Sequence, residues 1–164
     1  MQSDGDPQLE SPRRIRTSIP TRDFTIPMVG SPMRRILVPV DGSRQSLDAL
    51  GHALETFPDD EIVVLHALNF VEVVASESSA NQARERANEI FREVRTLADE
   101  YDHTVETETT EGDPGRAIVA YAADRDIDQI VIGSTGRTGL DRLLLGSVAE
   151  LVARRAPVPV TIVR

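Results

Sequence analysis

The stretch Gly133-Ser134-Thr135-Gly136 decides the fold, because a second glycine turn, Gly146-Ser147, follows it after nine residues. The apolar, β-branched run at 129–132 stands just before the first turn and predicts a buried parallel strand. Glycine allows positive φ and lets the backbone approach a ligand closely. The pattern therefore predicts two glycine turns at the carboxyl edge of a sheet.

A helix is predicted directly after the second turn, over 147–155. Ser147 and Glu150 have the S-x-x-E spacing of a capping box, so we predict Ser147 as the N-cap. A helix N-terminus offers free N–H groups and a partial positive charge, which suit a phosphate group. Together the two turns and this helix predict a phosphate cradle.

Composition limits the classes of protein that are possible. The 164 residues suffice for one domain with a sizeable core. There is no Cys, which excludes disulfides, thiolate nucleophiles and zinc–thiolate sites, and the three His residues have no ligand spacing. No apolar run could span a bilayer and no signal peptide is apparent. We therefore predict a cytoplasmic protein that does not associate with membranes.

The charge balance is acidic and lacks Lys altogether. All 18 basic residues are Arg, and 27 acids give a net charge of −9. Such a surface disfavours nucleic-acid binding, which needs a basic footprint. Acid excess without Lys is typical of a halophilic protein from a high-salt cytoplasm, where self-repulsion is screened. A GC-rich genome that favours Arg codons is the alternative explanation.

Residues 1–32 differ in composition from residues 33–164. They contain five Pro residues, several Ser and Thr, and no apolar periodicity, which predicts a disordered or poorly ordered tail. Their four Arg and four acidic residues cancel, so the net charge belongs to the remainder. Met33 stands just before the first predicted strand. The tail is therefore either a product of start-codon choice or a regulatory or partner-binding arm.

From residue 34 the pattern alternates between strand and helix. Asp113 with Pro114 predicts a capped helix start, and Ser43 predicts another. The segment 68–79 is predicted as a long connection. Such alternation predicts a parallel α/β sheet with helices on both faces. The predicted strands cover 35–40, 61–67, 104–109, 129–132 and 158–163, and the helices cover 44–56, 80–101, a segment from 114 and 147–155.

The same periodicities predict which side chains are buried. The strand at 104–109 alternates with period two and carries acids, which suits an edge strand. His66, at the end of an apolar strand, is predicted to be a hydrogen-bonded core histidine rather than a base. The predicted buried stripes are Leu47, Leu50, Ala53 and Leu54 on the first helix, and Ala83, Ala87, Ile90, Val94, Leu97 and Tyr101 on the second.

A second polar turn, Asp41-Gly42-Ser43, follows the first strand. Ligands of open sheets bind beyond the strand carboxyl ends, so this turn and the turn at 133–136 meet in one cleft if their strands are neighbours. The Asp41 carboxylate would repel a phosphate there, and a divalent cation, most simply Mg²⁺, would remove that repulsion. The alternative is that Asp41 only forms an Asx turn before the helix.

The chain from Met33 to Arg164 resembles the universal stress proteins of the nucleotide-binding kind. Their ATP motif is G-x-x-G, nine residues, then G-[S/T], and every fixed position matches: Gly133, Gly136, Gly146 and Ser147. The segments at 36–43, 65–67, 112–114 and 157–160 are also similar to family motifs. The resemblance implies a five-stranded parallel open sheet of order 3-2-1-4-5, Rossmann-like and of the adenine-nucleotide alpha-hydrolase-like type.

The resemblance also implies a site for ATP and Mg²⁺ and roles for twelve residues. Those near adenine, ribose and metal are Pro39, Val40, Asp41 and Ala67, with Asp41 as the metal ligand. Those near ribose and the inner phosphates are Ile132, Gly133, Thr135, Gly136 and Arg137. Those near the outer phosphates are Gly146, Ser147 and Val148. Arg137 could instead be a solvated surface charge. Family members dimerise through the last strand, which implies a homodimer through 158–163.

Three function classes remain open. The first is a dimeric, ATP-binding regulatory module of the stress response. The second is a slow Mg²⁺-dependent ATPase, although neither glycine turn contains a Glu or Gln that could orient water. The third is a nucleotide-free scaffold or chaperone-like dimer, against which the intact glycine motif argues. We expect binding rather than catalysis, with no catalytic residue assigned.

Overall fold

The computed structural model describes residues 33–68, 70–135 and 145–164. Within them, strands and helices alternate along the chain. The strands are β1 (Arg35–Pro39), β2 (Glu61–Leu68), β3 (Val105–Glu111), β4 (Gln129–Gly133) and β5 (Val160–Val163). The helices are α1 (Arg44–Thr56), α2 (Phe70–Ala75), α3 (Glu77–Glu100), α4 (Pro114–Asp124) and α5 (Ser147–Arg155). The tail predicted at 1–32 lies outside the described residues.

All five strands form one parallel sheet in the order β3-β2-β1-β4-β5. This confirms the predicted α/β fold class and strand order. The central pairing of β1 aligns Leu37 with Val63 of β2 on one side and with Ile130 of β4 on the other. The connections reverse direction between β1 and β4, which is the switch point where open sheets bind ligands.

A hydrophobic layer covers each face of the sheet, because alternate residues of a strand point to opposite sides. On one face, Ile36 and Val64 pack among residues of α1 and α3, including Leu50 and Val94, all of them fully buried. On the other face, buried side chains of the strands pack against α4 and α5. No helix within the described segments has the length and apolar character needed to cross a membrane.

The connection predicted over 68–79 is wrong in part, because it contains α2 and the first residues of α3. Ser76 caps α3, so the helix begins at Glu77 rather than near residue 80. Tyr101, predicted to be buried, is the C-cap of α3 and is 43% exposed. The stripe instead uses Phe91 and Ala98, and Leu97 is only partly buried. A helix end adjoins solvent, so the last apolar residue of a periodic pattern need not reach the core.

The two edges of the sheet differ in chemistry. β3 is an edge strand, as predicted, and bears Glu106, Glu108 and Glu111. β5 forms the opposite edge with the sequence VTIV, and each of its four residues is partly buried. Charged residues protect edge strands from pairing with other chains. β3 carries that protection and β5 does not.

Candidate functional site

A cavity of about 290 Å³ lies at the carboxyl edge of the sheet, where β1, β2 and β4 end. Ten of the twelve predicted site residues line it. The structure thus brings together the ends of β1 and β4 and the described residues of the turns that follow them. The other two, Gly136 and Arg137, lie outside the described residues. The ten are Pro39, Val40, Asp41, Ala67, Ile132, Gly133, Thr135, Gly146, Ser147 and Val148.

Six further residues line the same cavity and were not predicted as site residues. Pro114 and Ile118 come from the first turns of α4, which places that helix beside the cleft. Their spacing of four residues predicts from the sequence that they share one helix face. That this face borders the cleft is seen only in the structure. The remaining four residues are Ser46, Leu65, His66 and Ala149.

The two ends of the glycine-bearing segment are bonded to each other. The Gly146 N–H donates to the Ser134 carbonyl oxygen at 2.8 Å, and the Ser134 N–H donates to the Val163 carbonyl oxygen at 2.7 Å. Thr135 follows directly and also lines the cavity. The turn after β4 and the start of α5 therefore form one side of the cleft. The two turns lie together, as their positions in the sequence predicted.

The described glycines of the motif, Gly133 and Gly146, do not adopt left-handed backbone conformations. Gly146 has φ −64°, and Gly133 is not among the described residues with positive φ, which are Asp102, Gly42 and Gly112. Gly42, with φ 77°, lies in the other turn of the cleft. The requirement for positive φ thus falls on the Asp41-Gly42-Ser43 turn.

The N-terminus of α5 differs from those of α1, α3 and α4. Ser43, Ser76 and Asp113 each accept a backbone N–H bond at the start of their helices, which confirms Ser43 and Asp113 as predicted caps. Ser147 is wrong as an N-cap: the cap is Gly146, and no side chain of a described residue caps α5. The S-x-x-E spacing is misleading because Gly146 takes the cap position one residue earlier. Among the described residues, the end of α5 that lines the cavity therefore has no side-chain acceptor for its first N–H groups.

Asp41 forms the Asx turn that the alternative interpretation predicted. Its Oδ1 accepts the Ser43 N–H at 3.0 Å and the Ser43 hydroxyl at 2.5 Å. The Asp41 N–H in turn donates to the Ser46 hydroxyl at 3.3 Å. Asp41 is only partly buried and lines the cavity. The carboxylate thus shapes the turn and also borders the cleft.

The donor set suits a metal held partly by a ligand rather than by a protein cage. No group of three His, Cys, Asp or Glu side chains converges among the residues that the structure describes. Mg²⁺ commonly takes one or two carboxylates and completes its shell with phosphate oxygens and water. Asp41, which lines the same cavity as the N-terminus of α5, fits that second arrangement.

His66 is a buried, hydrogen-bonded histidine, as predicted. Its Nδ1 lies 2.8 Å from the Val40 carbonyl oxygen, and its side chain is 8% exposed. Because a carbonyl only accepts, Nδ1 carries the hydrogen. The ring also meets Phe91 of α3 edge to face, with 6.4 Å between the ring centroids. His66 therefore bridges the ends of β1 and β2 at the base of the cavity.

The fold and the cleft define an open α/β domain with its cavity at the topological switch point. The chain belongs to the Universal stress protein family, because the sequence model of that family matches residues 32–164. The family identity expected from the glycine motif is thus confirmed.

Similar proteins support this assignment over most of the chain. Universal stress protein MJ0531 of Methanocaldococcus jannaschii is 37% identical over 139 residues, which cover 80% of this chain and 82% of that protein. The solved structure of MJ0577, from the same organism, has a TM-score of 0.70 at 30% identity and covers 79% of this chain and 94% of its own. A universal stress protein solved in complex with cAMP has a TM-score of 0.66 at 26% identity, covering 82% and 99%.

Proposed function

We propose that this protein is a cytoplasmic, dimeric regulatory module of the stress response that binds ATP together with Mg²⁺ in the cleft at the carboxyl edge of its sheet. Binding, rather than turnover of the nucleotide, is its biochemical activity. A change of surface on binding would be read by a protein partner. The proposal rests on the chemistry of the two ends of the cleft and on family membership.

One observation carries the proposal: the α5 N-terminus borders the cavity, and no side chain of the described residues caps it. Orphan N–H groups at a helix end require acceptors, and α1, α3 and α4 all provide them from their own side chains. A phosphate would supply those acceptors at α5, where the helix dipole also favours negative charge. The bond between Gly146 and Ser134 holds the neighbouring turn beside this helix end, so the same phosphate would lie near both.

The apolar part of the cavity lining suits a nucleobase. Pro39, Leu65 and Ala67 come from the strand ends, and Pro114 and Ile118 come from α4. These side chains offer apolar contact for a flat ring, whereas Thr135 and Ser147 add hydroxyl groups to the lining. The structural relative in complex with cAMP supports an adenine nucleotide as the ligand class. ATP is proposed because the motif spacing resembles that of ATP-binding members.

Mg²⁺ would neutralise the repulsion between the Asp41 carboxylate and the phosphates. Asp41 would supply one carboxylate oxygen, and the nucleotide would supply further oxygen ligands. The hydroxyl groups of Ser43 and Ser46 hold the turn that presents this carboxylate. When bound, the cation supplies charge compensation.

Slow hydrolysis is the second candidate, and the cavity gives it little support. Asp41 is the only carboxylate among the described cavity-lining residues, and its Oδ1 already accepts two bonds from Ser43. His66 directs its Nδ1–H at a backbone carbonyl. A hydrolase needs a group that orients water at the γ-phosphate. The described lining residues favour retention of the nucleotide over its cleavage.

The proposed dimer interface is the outer edge of β5, which among the described residues pairs only with β4. That edge bears no charge between Val160 and Val163, and its residues are partly buried in a single copy. Paired edges bury such strands, and a two-fold axis lets the same surface serve both copies. Residues 158–163, predicted from the resemblance, contain this strand.

Isothermal titration of the purified dimer with ATP, with and without Mg²⁺, tests the proposal. We expect saturable binding that tightens with Mg²⁺, and phosphate release over hours that stays close to the rate without protein. Titration with GTP and cAMP in the same buffer measures base and phosphate selectivity. Absence of binding for every nucleotide would instead support the scaffold class, and rapid phosphate release would support the ATPase class.

A further inference from the structure

The end of the β1–β2 ladder contains a side-chain bond where a backbone bond would be expected. Leu65 of β2 accepts the Val40 N–H at 2.9 Å, so the backbone of Leu65 faces β1. In a parallel ladder, the next bond joins the amide two residues further along β2, that of Ala67, to the Val40 carbonyl. In the described part of the chain, the Val40 carbonyl instead accepts from His66 Nδ1 at 2.8 Å.

The bond from the His66 side chain, which stands in place of a backbone bond, leaves the Ala67 amide at the edge of the cavity. Ala67 lines the cavity, and its N–H faces the side of β1 because it lies two residues beyond Leu65. The register of the two strands ends at Pro39 and Leu65, and beyond it the Val40 carbonyl is bonded to the His66 side chain rather than to the Ala67 amide. The space between the strand ends is then part of the cavity rather than part of the sheet.

Three features of its surroundings fix the His66 ring beside the Val40 carbonyl. The side chain is 8% exposed, its Nδ1 is bonded, and Phe91 packs against it edge to face. A buried carbonyl left without a donor is destabilising, because it loses water without gaining a hydrogen bond. Loss of the His66 donor would therefore drive the Val40 carbonyl towards another donor, and the amide of Ala67 is the next one in the ladder.

We propose that His66 is a positioning residue: its Nδ1–H holds the Val40 carbonyl so that the β1–β2 ladder stops at Leu65 and the base end of the cleft stays open. This inference rests on the proposed nucleotide function for its effect on affinity, but not for its effect on the backbone. His66 does not touch the phosphates in this role. It acts through Val40 and the Asp41 turn that follows.

The chain provides a matched control in His103. Its Nδ1 also lies 2.9 Å from a backbone carbonyl oxygen, that of Thr104, but His103 does not line the cavity. His66→Phe and His103→Phe therefore each remove a ring N–H near a carbonyl and keep an aromatic ring. His66→Asn is the rescue variant, because its side-chain amide nitrogen occupies the position of Nδ1.

The experiment combines nucleotide titration with NMR of ¹⁵N-labelled full-length protein. We expect long-range ¹H–¹⁵N spectra to show His66 with its hydrogen on Nδ1. His66→Phe should weaken ATP binding by about 5- to 10-fold, which is the change in affinity expected for the net loss of one hydrogen bond. His66→Asn should recover most of that loss, and His103→Phe should bind like the wild type. In the ligand-free protein, the Ala67 amide should exchange faster in the wild type than in His66→Phe.

Hydrogen on Nε2 instead of Nδ1 would overturn the proposal, as would unchanged affinity in a folded His66→Phe. If no nucleotide binds the wild type, the proposed function fails, and Ala67 exchange then decides this inference alone. Slower exchange in His66→Phe supports it, and equal exchange refutes it. If His66→Phe does not fold, the tautomer and the His66→Asn measurements decide it: Nδ1–H with near wild-type affinity supports the role, and Nε2–H refutes it.

Discussion

Gly133 lies directly against the first turn of α1, at Gln45. A β-carbon at Gly133 would come within 2.6 Å of the Gln45 carbonyl oxygen and within 3.2 Å of the Ser46 nitrogen. Backbone atoms cannot move away cheaply, so the missing side chain is what allows α1 to pack against the end of β4. Since the Asp41 turn leads into α1, this contact also fixes the distance between the two turns of the cleft.

Gly133→Ala should therefore destabilise the protein by about 1–3 kcal/mol, the usual range for overpacking. It should also weaken nucleotide binding, because α1 and the Asp41 turn must shift. Urea unfolding and titration with ATP measure the two effects.

Gly51→Ala is the matched control for Gly133→Ala. Its β-carbon would meet the Tyr101 hydroxyl at 3.6 Å, an ordinary contact, and Gly51 lies inside α1. Alanine there should stabilise the protein by about 0.5–1 kcal/mol. A Gly133→Ala protein as stable as the wild type would show that the packing argument is wrong.

Gly146→Asp should separate stability from binding. The backbone of Gly146, with φ −64° and ψ 151°, is open to any residue, and Asp is a preferred N-cap. The new carboxylate would accept the first N–H groups of α5, which should raise stability by a few tenths of a kcal/mol, roughly. It would also compete with and repel a phosphate, so ATP affinity should fall by about 10-fold or more.

Gly146→Asn controls for charge in that experiment, because its side chain caps α5 without repelling the phosphate. We expect ATP affinity between those of Gly146→Asp and the wild type, measured by titration at one ionic strength. Undiminished affinity in Gly146→Asp would mean that no phosphate binds at this helix end.

Asp41→Asn tests the metal role without breaking the turn. The amide oxygen of Asn can still accept the Ser43 N–H that Asp41 Oδ1 accepts at 3.0 Å, but the charge is lost. The stimulation of ATP binding by Mg²⁺ should disappear, while affinity without metal should stay equal or increase. Asp41→Ala should show the same loss and also a less stable turn. Wild-type affinity that does not depend on Mg²⁺ would argue against any metal at Asp41.

Thr161→Lys should convert the proposed dimer to a monomer, as judged by light scattering after size-exclusion chromatography. A charge on β5 would give that edge the protection that β3 already has. Thr161→Val is one control, because it loses the bond from Gln129 Nε2 at 2.8 Å but adds no charge. Thr109→Lys, an exposed position on β3, is the other. Both should behave like the wild type, and a Thr161→Lys protein that stays dimeric would exclude this interface.

Tyr121 makes stability depend on alkaline pH. Burial, together with the nearby Glu108 carboxylate, raises its pKa to about 12 from the usual 10.0. Below pH 10 the hydroxyl is neutral in both the folded and the unfolded chain. Between pH 10 and 12 the unfolded chain loses the proton and the folded protein keeps it, so the free energy of unfolding should fall as pH rises.

Tyr121→Phe should remove that fall, as measured by urea unfolding at pH 8 and pH 11. The Tyr121 hydroxyl is buried near the Glu108 carboxylate but does not meet hydrogen-bond geometry with any described residue, so its removal should change stability little at pH 8. Tyr101→Phe, at an exposed tyrosine, should keep the wild-type pH dependence. An equally steep alkaline loss in Tyr121→Phe would place its origin elsewhere.

Local patterns in the sequence predicted most of the fold and the position of the cleft. The apolar runs and the glycine spacing report on neighbours along the chain, and β1, β4 and both turns lie where those patterns placed them. The contact between Gly133 and Gln45 was beyond such patterns, because it depends on how α1 crosses the sheet. The same holds for the His66 bond to Val40, which requires knowledge of where the ladder ends.

Two errors have the same physical origin. Ser147 matches a capping box and Tyr101 matches a buried stripe, but each stands at a helix terminus. There, a shift of one residue changes whether a side chain caps, packs or faces solvent. Pro114 and Ile118 were not predicted as cleft residues for a different reason. They lie on α4, which is distant in sequence from both turns, and only the tertiary structure shows that α4 contacts β2.

The unlike edges of the sheet set a limit on assembly. Two copies joined through β5 would form one continuous sheet whose outer rims are both β3 strands with Glu106, Glu108 and Glu111. Like-charged rims repel a third copy, and β5 is no longer available to accept one. Growth by strand addition would therefore stop at two subunits, so the same pairing that would complete the proposed dimer would also prevent fibre formation.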